Sequence, residues 1–173
     1  MQDHKLISPL PFFHIYAYLV SMLYCAWRGQ QIITMSGRFD MDEFCRLLDE
    51  HQPKRAHLVP PIILGLAKSP VVDQYNVSSL QQIVSAAAPL SGDIEAAVQE
   101  RLGCRVKQGW GMSELSPIGI FSTDANPKSG SVGSLVPSTV AKIVDENGSS
   151  LPPNQSGELL IKVSHTSECV ETS

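Results

Sequence analysis

The sequence predicts an α/β domain of parallel βαβ units, followed by a smaller β-rich part. Three observations carry this. Helix-period and short strand-type apolar patterns alternate between residues 15 and 107. A loop of small residues at 85–89 and a loop of glycines flanking an aromatic at 108–114 follow two of the strand runs. After about Gly130 the helical pattern stops and strand runs joined by turn residues replace it. The expected organisation is 1–130 for the α/β part, 131–163 for the β-rich part and 164–173 for a polar tail that continues neither pattern.

Each element has a local reason. Residues 15–28 read as an apolar helix that stops at Gly29, and Gln31 to Met35 as a strand run. Asp40 to His51 places Phe44, Leu47, Leu48 and His51 at helical spacing on one face. Arg55 to Val59 is a strand run that Pro60-Pro61 ends, and 62–68 a short helix. Gln81 to Ser85 is the next strand. Ser91 can cap the helix that follows, with Ile94, Ala97, Val98 and Leu102 along one side and Gly103 at its stop. Arg105 to Lys107 is a brief strand. Val140 to Val144 and Glu158 to Val163 are strands flanking the turn residues 145–148.

Composition narrows the function classes. A net charge of −4 and a pI near 5.7 give no electrostatic case for nucleic acid. Cys25, Cys45, Cys104 and Cys169 lie far apart with no CxxC pair, which predicts reduced thiols rather than a zinc site or a disulfide scaffold. From Leu6 to Trp27 there is no charged side chain, but Ser8, Pro9, Pro11 and His14 break up the first half. The uninterrupted remainder, Ile15 to Trp27, predicts a buried helix rather than a membrane span. No targeting signal is visible in the chain.

In a parallel sheet, ligands collect beyond the carboxyl ends of the strands, where backbone groups face out. Ser85-Ala86-Ala87-Ala88-Pro89 would let a flat ring or a phosphate approach the backbone. Gln108-Gly109-Trp110-Gly111-Met112-Ser113-Glu114 offers an aromatic for stacking, a hydroxyl for a phosphate oxygen and a carboxylate for Mg²⁺. Taken alone, the Gly-Trp-Gly turn reads as a plain tight turn, and His14 after Pro11-Phe12-Phe13 as an interior histidine. A hydrolase using Ser113 and His14 would need GxSxG, whereas Gly111-Met112-Ser113 runs into Glu114-Leu115.

Five segments in order resemble the adenylate-forming superfamily, and within it the plant-type 4-coumarate–CoA ligases and acyl–CoA synthetases. They are LPFFHIY (Leu10 to Tyr16), VPPIILGLAKSP (Val59 to Pro70), SAAAPL (Ser85 to Leu90), QGWGMSE (Gln108 to Glu114) and GELLIK (Gly157 to Lys162), against LPxFHIY, VPPIxLxxAKSP, SGAAPL, QGYGMTE and GELxxRG. The resemblance covers about residues 8–162 and implies a partial αβαβα-type domain, internal to the large N-terminal domain, with part of its β-rich subdomain.

It further implies a parent ligase that uses ATP with Mg²⁺ to convert a carboxylic acid to an acyl-adenylate, then passes the acyl group to coenzyme A. Trp110 would stack on the adenine of ATP or AMP, and Ser113 would meet the phosphate. Glu114 would bind Mg²⁺. The Ala87-Ala88-Pro89 and Gln108-Gly109 backbone, with Gly111, would cradle the adenylate. His14 would stand by its carbonyl, and Arg38 would meet a CoA phosphate. Val20, Pro117 and Ile118 would line the acid pocket. An apolar Val20 and Ile118 imply a preference for less hydroxylated or aliphatic acids over 4-coumarate. The parent would be cytoplasmic or peroxisomal.

Family features not found in these 173 residues are the STSGTTGxPKG-like phosphate loop, the later aspartate that binds ribose, the hinge, and the C-terminal domain with its catalytic lysine. The expectation is therefore a catalytically incomplete fragment, prone to self-association through uncovered edges. The alternative is a regulatory or interaction module that retains part of a nucleotide-binding fold.

Overall fold

In the computed structural model, residues 5–124 and 128–163 are described in full and residues 170–171 as backbone. The expected Cys169 and most of the polar tail lie outside these. Five short strands form a parallel sheet because helices join them and carry the chain back across: β1 (Leu6–Ile7), β2 (Ile32–Ile33), β3 (Arg55–Leu58), β4 (Gln82–Ser85) and β5 (Arg105–Trp110). Their order is β2-β1-β3-β4-β5. β6 (Ile120–Phe121) and β7 (Ser134–Leu135) extend the sheet antiparallel beyond β5. A second, three-stranded antiparallel sheet holds β8 (Thr139–Val144), β9 (Glu158–Val163) and β10 (Val170–Glu171).

This order decides which face each helix covers. The first crossover runs from β1 out to β2, and every later one runs the opposite way. Right-handed crossovers then put the first helix on one face and the rest on the other. α2 (Met41–His51), α3 (Pro60–Lys68) and α4 (Gly92–Leu102) accordingly share one core with Ile7, Ala56, Leu58, Ile83 and Val106 of the sheet. Among the described residues, the opposite face receives only a π-helix (Tyr16–Leu23) that continues as α1 (Tyr24–Arg28). No helix in the described residues is long and apolar enough to cross a membrane.

Local signals act as expected at several boundaries. Asp40 caps α2 by accepting from the Glu43 N–H at 2.9 Å, and Ser91 accepts from Ile94 at the start of α4. Gly103 ends α4 in the left-handed region at φ 64°. Arg101 ties α4 to the end of α3, donating to the carbonyls of Leu66 (3.0 Å) and Ser69 (2.8 Å). These are among the carbonyls that a helix terminus leaves unpaired.

Several details differ from the sequence pattern. Pro60 and Pro61, expected only to stop β3, are the first residues of α3, where a missing N–H costs nothing. On α4, Ala97 is exposed and Glu95 is buried in its place. On α2, Cys45 joins the buried face while His51 is only half-buried. Strands β1, β6 and β7 are two residues long, too short to show a period. Cys25, Cys45 and Cys104 are buried free thiols, and burial pushes Cys45 and Cys104 up to about 11.

Candidate functional site

Strand alternation explains which residues reach the carboxyl end of the sheet. Along β4, Ile83 faces the helical core and Val84 the opposite side. Along β5, Gln108 turns toward α4, and Gly109 toward the other face. Beyond these strand ends lies a cavity of about 300 Å³. Its walls come from three segments. His14 and Val20 arrive from the π-helix region, Ala87 from the β4 loop, and Gly109 to Glu114 with Pro117 and Ile118 from the β5 loop.

Ten of the expected site residues therefore meet around one space: His14, Val20, Ala87, Gly109, Trp110, Gly111, Ser113, Glu114, Pro117 and Ile118. Four do not line it. Ala88 and Pro89 are exposed on the loop past Ala87, whose φ of 71° turns the chain away at a left-handed, strained residue. Arg38 is exposed on the turn before α2, lining neither this cavity nor its neighbour. Gln108 is buried, with its amide donating to the Leu90 carbonyl (3.2 Å) and to Glu95 (2.8 Å). Glu95 also accepts from the Gly130 N–H at 3.2 Å, so one buried carboxylate ties α4 to the β5 loop and to the turn at Gly130. Ile15, Tyr16, Val84, Ala86, Met112 and Phe121 complete the lining, none of them named beforehand for a role of its own. Of these only Ala86 and Met112 were signalled, by their place in the two loops at the strand ends.

His14 is exposed at the cavity, not interior. Its Nδ1 accepts from the Tyr16 N–H at 3.2 Å, which places the proton of a neutral ring on Nε2, as a donor. Trp110 is half-buried and packs against the cluster of Leu115, Ile161 and Val163. The β5 loop closes on itself: a Cβ on Gly111 would overlap the carbonyl of Pro117. The glycine after Trp110 is thus required by close chain-to-chain approach.

The π-helix is held to the sheet by polar groups. Ser21 Oγ lies 3.1 Å from Ser8 Oγ and 2.9 Å from His57 Nδ1, all buried. Tyr16 stacks on His57 and donates to the Val84 carbonyl at 2.9 Å. Burial, helped by the Arg55 charge, lowers His57 to about 4. The unfolded chain takes up that proton near 6.5 and the folded chain near 4. Stability is therefore full above pH 6.5 and declines as pH falls toward 4, by about 3 kcal/mol. Urea denaturation between pH 7 and 4 should show this slope, and His57→Gln should remove most of it. An unchanged slope in the variant would assign the effect elsewhere.

The residues present fit an adenine nucleotide, with an indole and an exposed hydroxyl at one small cavity. They offer Mg²⁺ one carboxylate, Glu114. No group of three His, Cys, Asp or Glu side chains occurs among the described residues. That suits an ion that takes most of its ligands from phosphate and water.

Comparison with known proteins supplies the rest. The chain is 40% identical to the 4-coumarate–CoA ligase 1 of Solanum tuberosum over 167 residues, which is 92% of this chain and 30% of that protein. It spans about 30% of the length of the curated relatives it matches. The structure of anthranilate CoA ligase AuaEII in complex with anthranoyl-AMP superposes with a TM-score of 0.86 at 18% identity, covering 95% of this chain and 32% of that one. At that identity the likeness concerns the fold. The inhibitor-bound N-terminal domain of FACL13 from Mycobacterium tuberculosis gives 0.76 at 25% identity, covering 93% and 40%. A profile described as "AMP-binding enzyme" matches residues 1–169, and the chain belongs to that family.

Proposed function

We propose that the chain is the adenylate-binding centre of an ATP-dependent acyl– or aryl–CoA ligase. The observation that carries this reading is the meeting of Trp110, Ser113, Glu114 and His14 at a single cavity beyond the strand ends. Trp110 stacks on the adenine, its indole held from behind by Leu115 and Ile161. The Ser113 hydroxyl donates to the phosphate. Glu114 holds Mg²⁺, which when bound neutralises phosphate charge as the acid carboxylate approaches. His14 Nε2–H donates to the carbonyl oxygen of the acid, and Val20, Pro117 and Ile118 pack against its apolar body. Gly109, Gly111 and the Ala87 backbone border the nucleotide. Ala88, Pro89 and Gln108 act at a remove, by shaping the two loops. Arg38 is offered to a phosphate of coenzyme A at the surface, and Glu95 keeps Gln108 and the β5 loop in place.

By themselves the 173 residues bind the nucleotide without completing the reaction, for want of the STSGTTGxPKG-like loop and the catalytic lysine. Electrostatic groups of that kind are each worth about 3 kcal/mol or more of barrier. Calorimetry with AMP tests the reading. Loss of a base-stacking aromatic costs about 1–3 kcal/mol, so Trp110→Ala should weaken AMP binding by about ten- to a hundredfold, and Trp110→Tyr should restore most of it. Pyrophosphate release from ATP and an acid should stay at background. AMP binding that is indifferent to Trp110→Ala would overturn the proposal.

A further inference from the structure

The face of the sheet covered only by the π-helix and α1 has an unusual surface. Parallel strands buried on both sides are apolar throughout. Here register brings Arg55, Gln82 and Arg105 into one row and His57, Val84 and Lys107 into the next. Among the described residues only one helical segment crosses this face, and a second cavity of about 740 Å³ lies over these two rows. It shares Val20, Val84, Pro117, Ile118 and Phe121 with the nucleotide-side cavity, so one apolar wall runs along both.

The far end of that wall is cationic. Arg105 (3.3 Å) and Lys107 (2.9 Å) both pair with Asp124, so two cations share one carboxylate. Arg55 has no acidic partner among the described residues; its guanidinium donates to the Tyr24 hydroxyl at 3.3 Å. His57 lines the same space while only 5% exposed. Its Nδ1 is held 2.9 Å from the Ser21 hydroxyl, which itself donates to Ser8. An unmatched guanidinium, with its planar fork of N–H donors, is a site for an anionic group with planar, two-oxygen geometry.

We propose that this second cavity receives the far end of the acid substrate, and that this end carries a second carboxylate: the substrates are dicarboxylic acids with an apolar middle. The inference rests on the ligase reading for the identity of the near end. The first carboxyl group lies at the nucleotide-side cavity, the methylene or ring body runs along Val20 and Ile118, and the second carboxylate meets Arg55. The expected preference for aliphatic acids is thereby kept for the middle of the substrate and reversed for its end.

Octanoate and octanedioate are the discriminating probes, because in an apolar cavity a second charge weakens binding, whereas at an unmatched arginine it strengthens it. Titrated into the 173-residue chain at fixed salt, with ¹⁵N amide shifts as readout, octanedioate should bind at least about tenfold tighter than octanoate. It should shift the amides of Gln82 and Lys107. Arg55→Gln should abolish the preference by weakening octanedioate alone. Equal binding of the two acids, equal weakening of both by Arg55→Gln, or binding of neither overturns the proposal. AMP is titrated into the same samples. Retained AMP binding without a dicarboxylate preference sinks this proposal alone. A dicarboxylate preference that survives when AMP fails to bind sinks the ligase reading and leaves the anion site standing.

Discussion

Gly111→Ala is expected to destabilise the protein by about 3 kcal/mol or more. The added Cβ would overlap the Pro117 carbonyl and crowd the Ile118 Cα, both backbone atoms, so no rotamer change relieves it. The β5 loop would have to open between Trp110 and Pro117, which separates the aromatic wall from the apolar wall of the same cavity. For a chain of this size the melting temperature should fall by about 6–12 °C, and AMP binding should be lost in parallel. Alanine at Gly103 offers the contrast. Nothing lies within 4 Å of a Cβ there, and only the left-handed φ is unfavourable, which costs about 1 kcal/mol. Comparable melting of the two variants would show that the β5 loop accommodates a side chain and that its closure is not tight.

The second large effect belongs to Ile161→Ala, expected to cost about 2–5 kcal/mol. Ile161 lies on β9, outside the sheet that forms the cavity, yet it is fully buried against Leu115 and packs with Trp110 and Met112. A Cβ on Gly119 would press on its Cδ1 and on the Trp110 ring, so the three groups already meet at close range. Truncation leaves a void behind the indole. AMP affinity should then drop severalfold even though Ile161 lines neither cavity beside the β5 loop, because a ring free to rock loses part of its stacking energy. Chemical denaturation gives the stability change, and calorimetry at low temperature, where the variant is still folded, gives the binding change. Full AMP affinity in a folded Ile161→Ala protein would mean that the antiparallel sheet supports the fold without positioning the ring.

Much of the fold was legible because its signals are local. Asp40 with Phe44, Leu47 and Leu48 specifies α2, Ser91 and Gly103 bracket α4, and the short runs at 55–58 and 82–85 end in breakers or small residues. β1, β6 and β7 were not legible, since two residues carry no periodicity and their pairing depends on partners far away in sequence. Glu95 defied its helix pattern because a carboxylate can be buried once Gln108 and Gly130 donate to it, an arrangement created only when α4 meets β5. Of the site, the loop residues were recognisable by type and order. What could not be read was which of them face the cavity. Strand alternation sends Gln108 toward α4, the left-handed turn at Ala87 carries Ala88 and Pro89 away, and Arg38 stands on a separate turn.

By itself the sequence determined the α/β class, the two loops at the strand ends, and the chemistry available there, because caps, breakers and motif residues act over a few positions. Tertiary structure decided the strand order, and with it which face carries the first helical segment alone. That choice set Arg55, His57 and Lys107 around an open cavity and put Ile161 behind Trp110. Such juxtapositions are fixed by crossover direction and sheet register, which join residues tens of positions apart, and no local pattern records them.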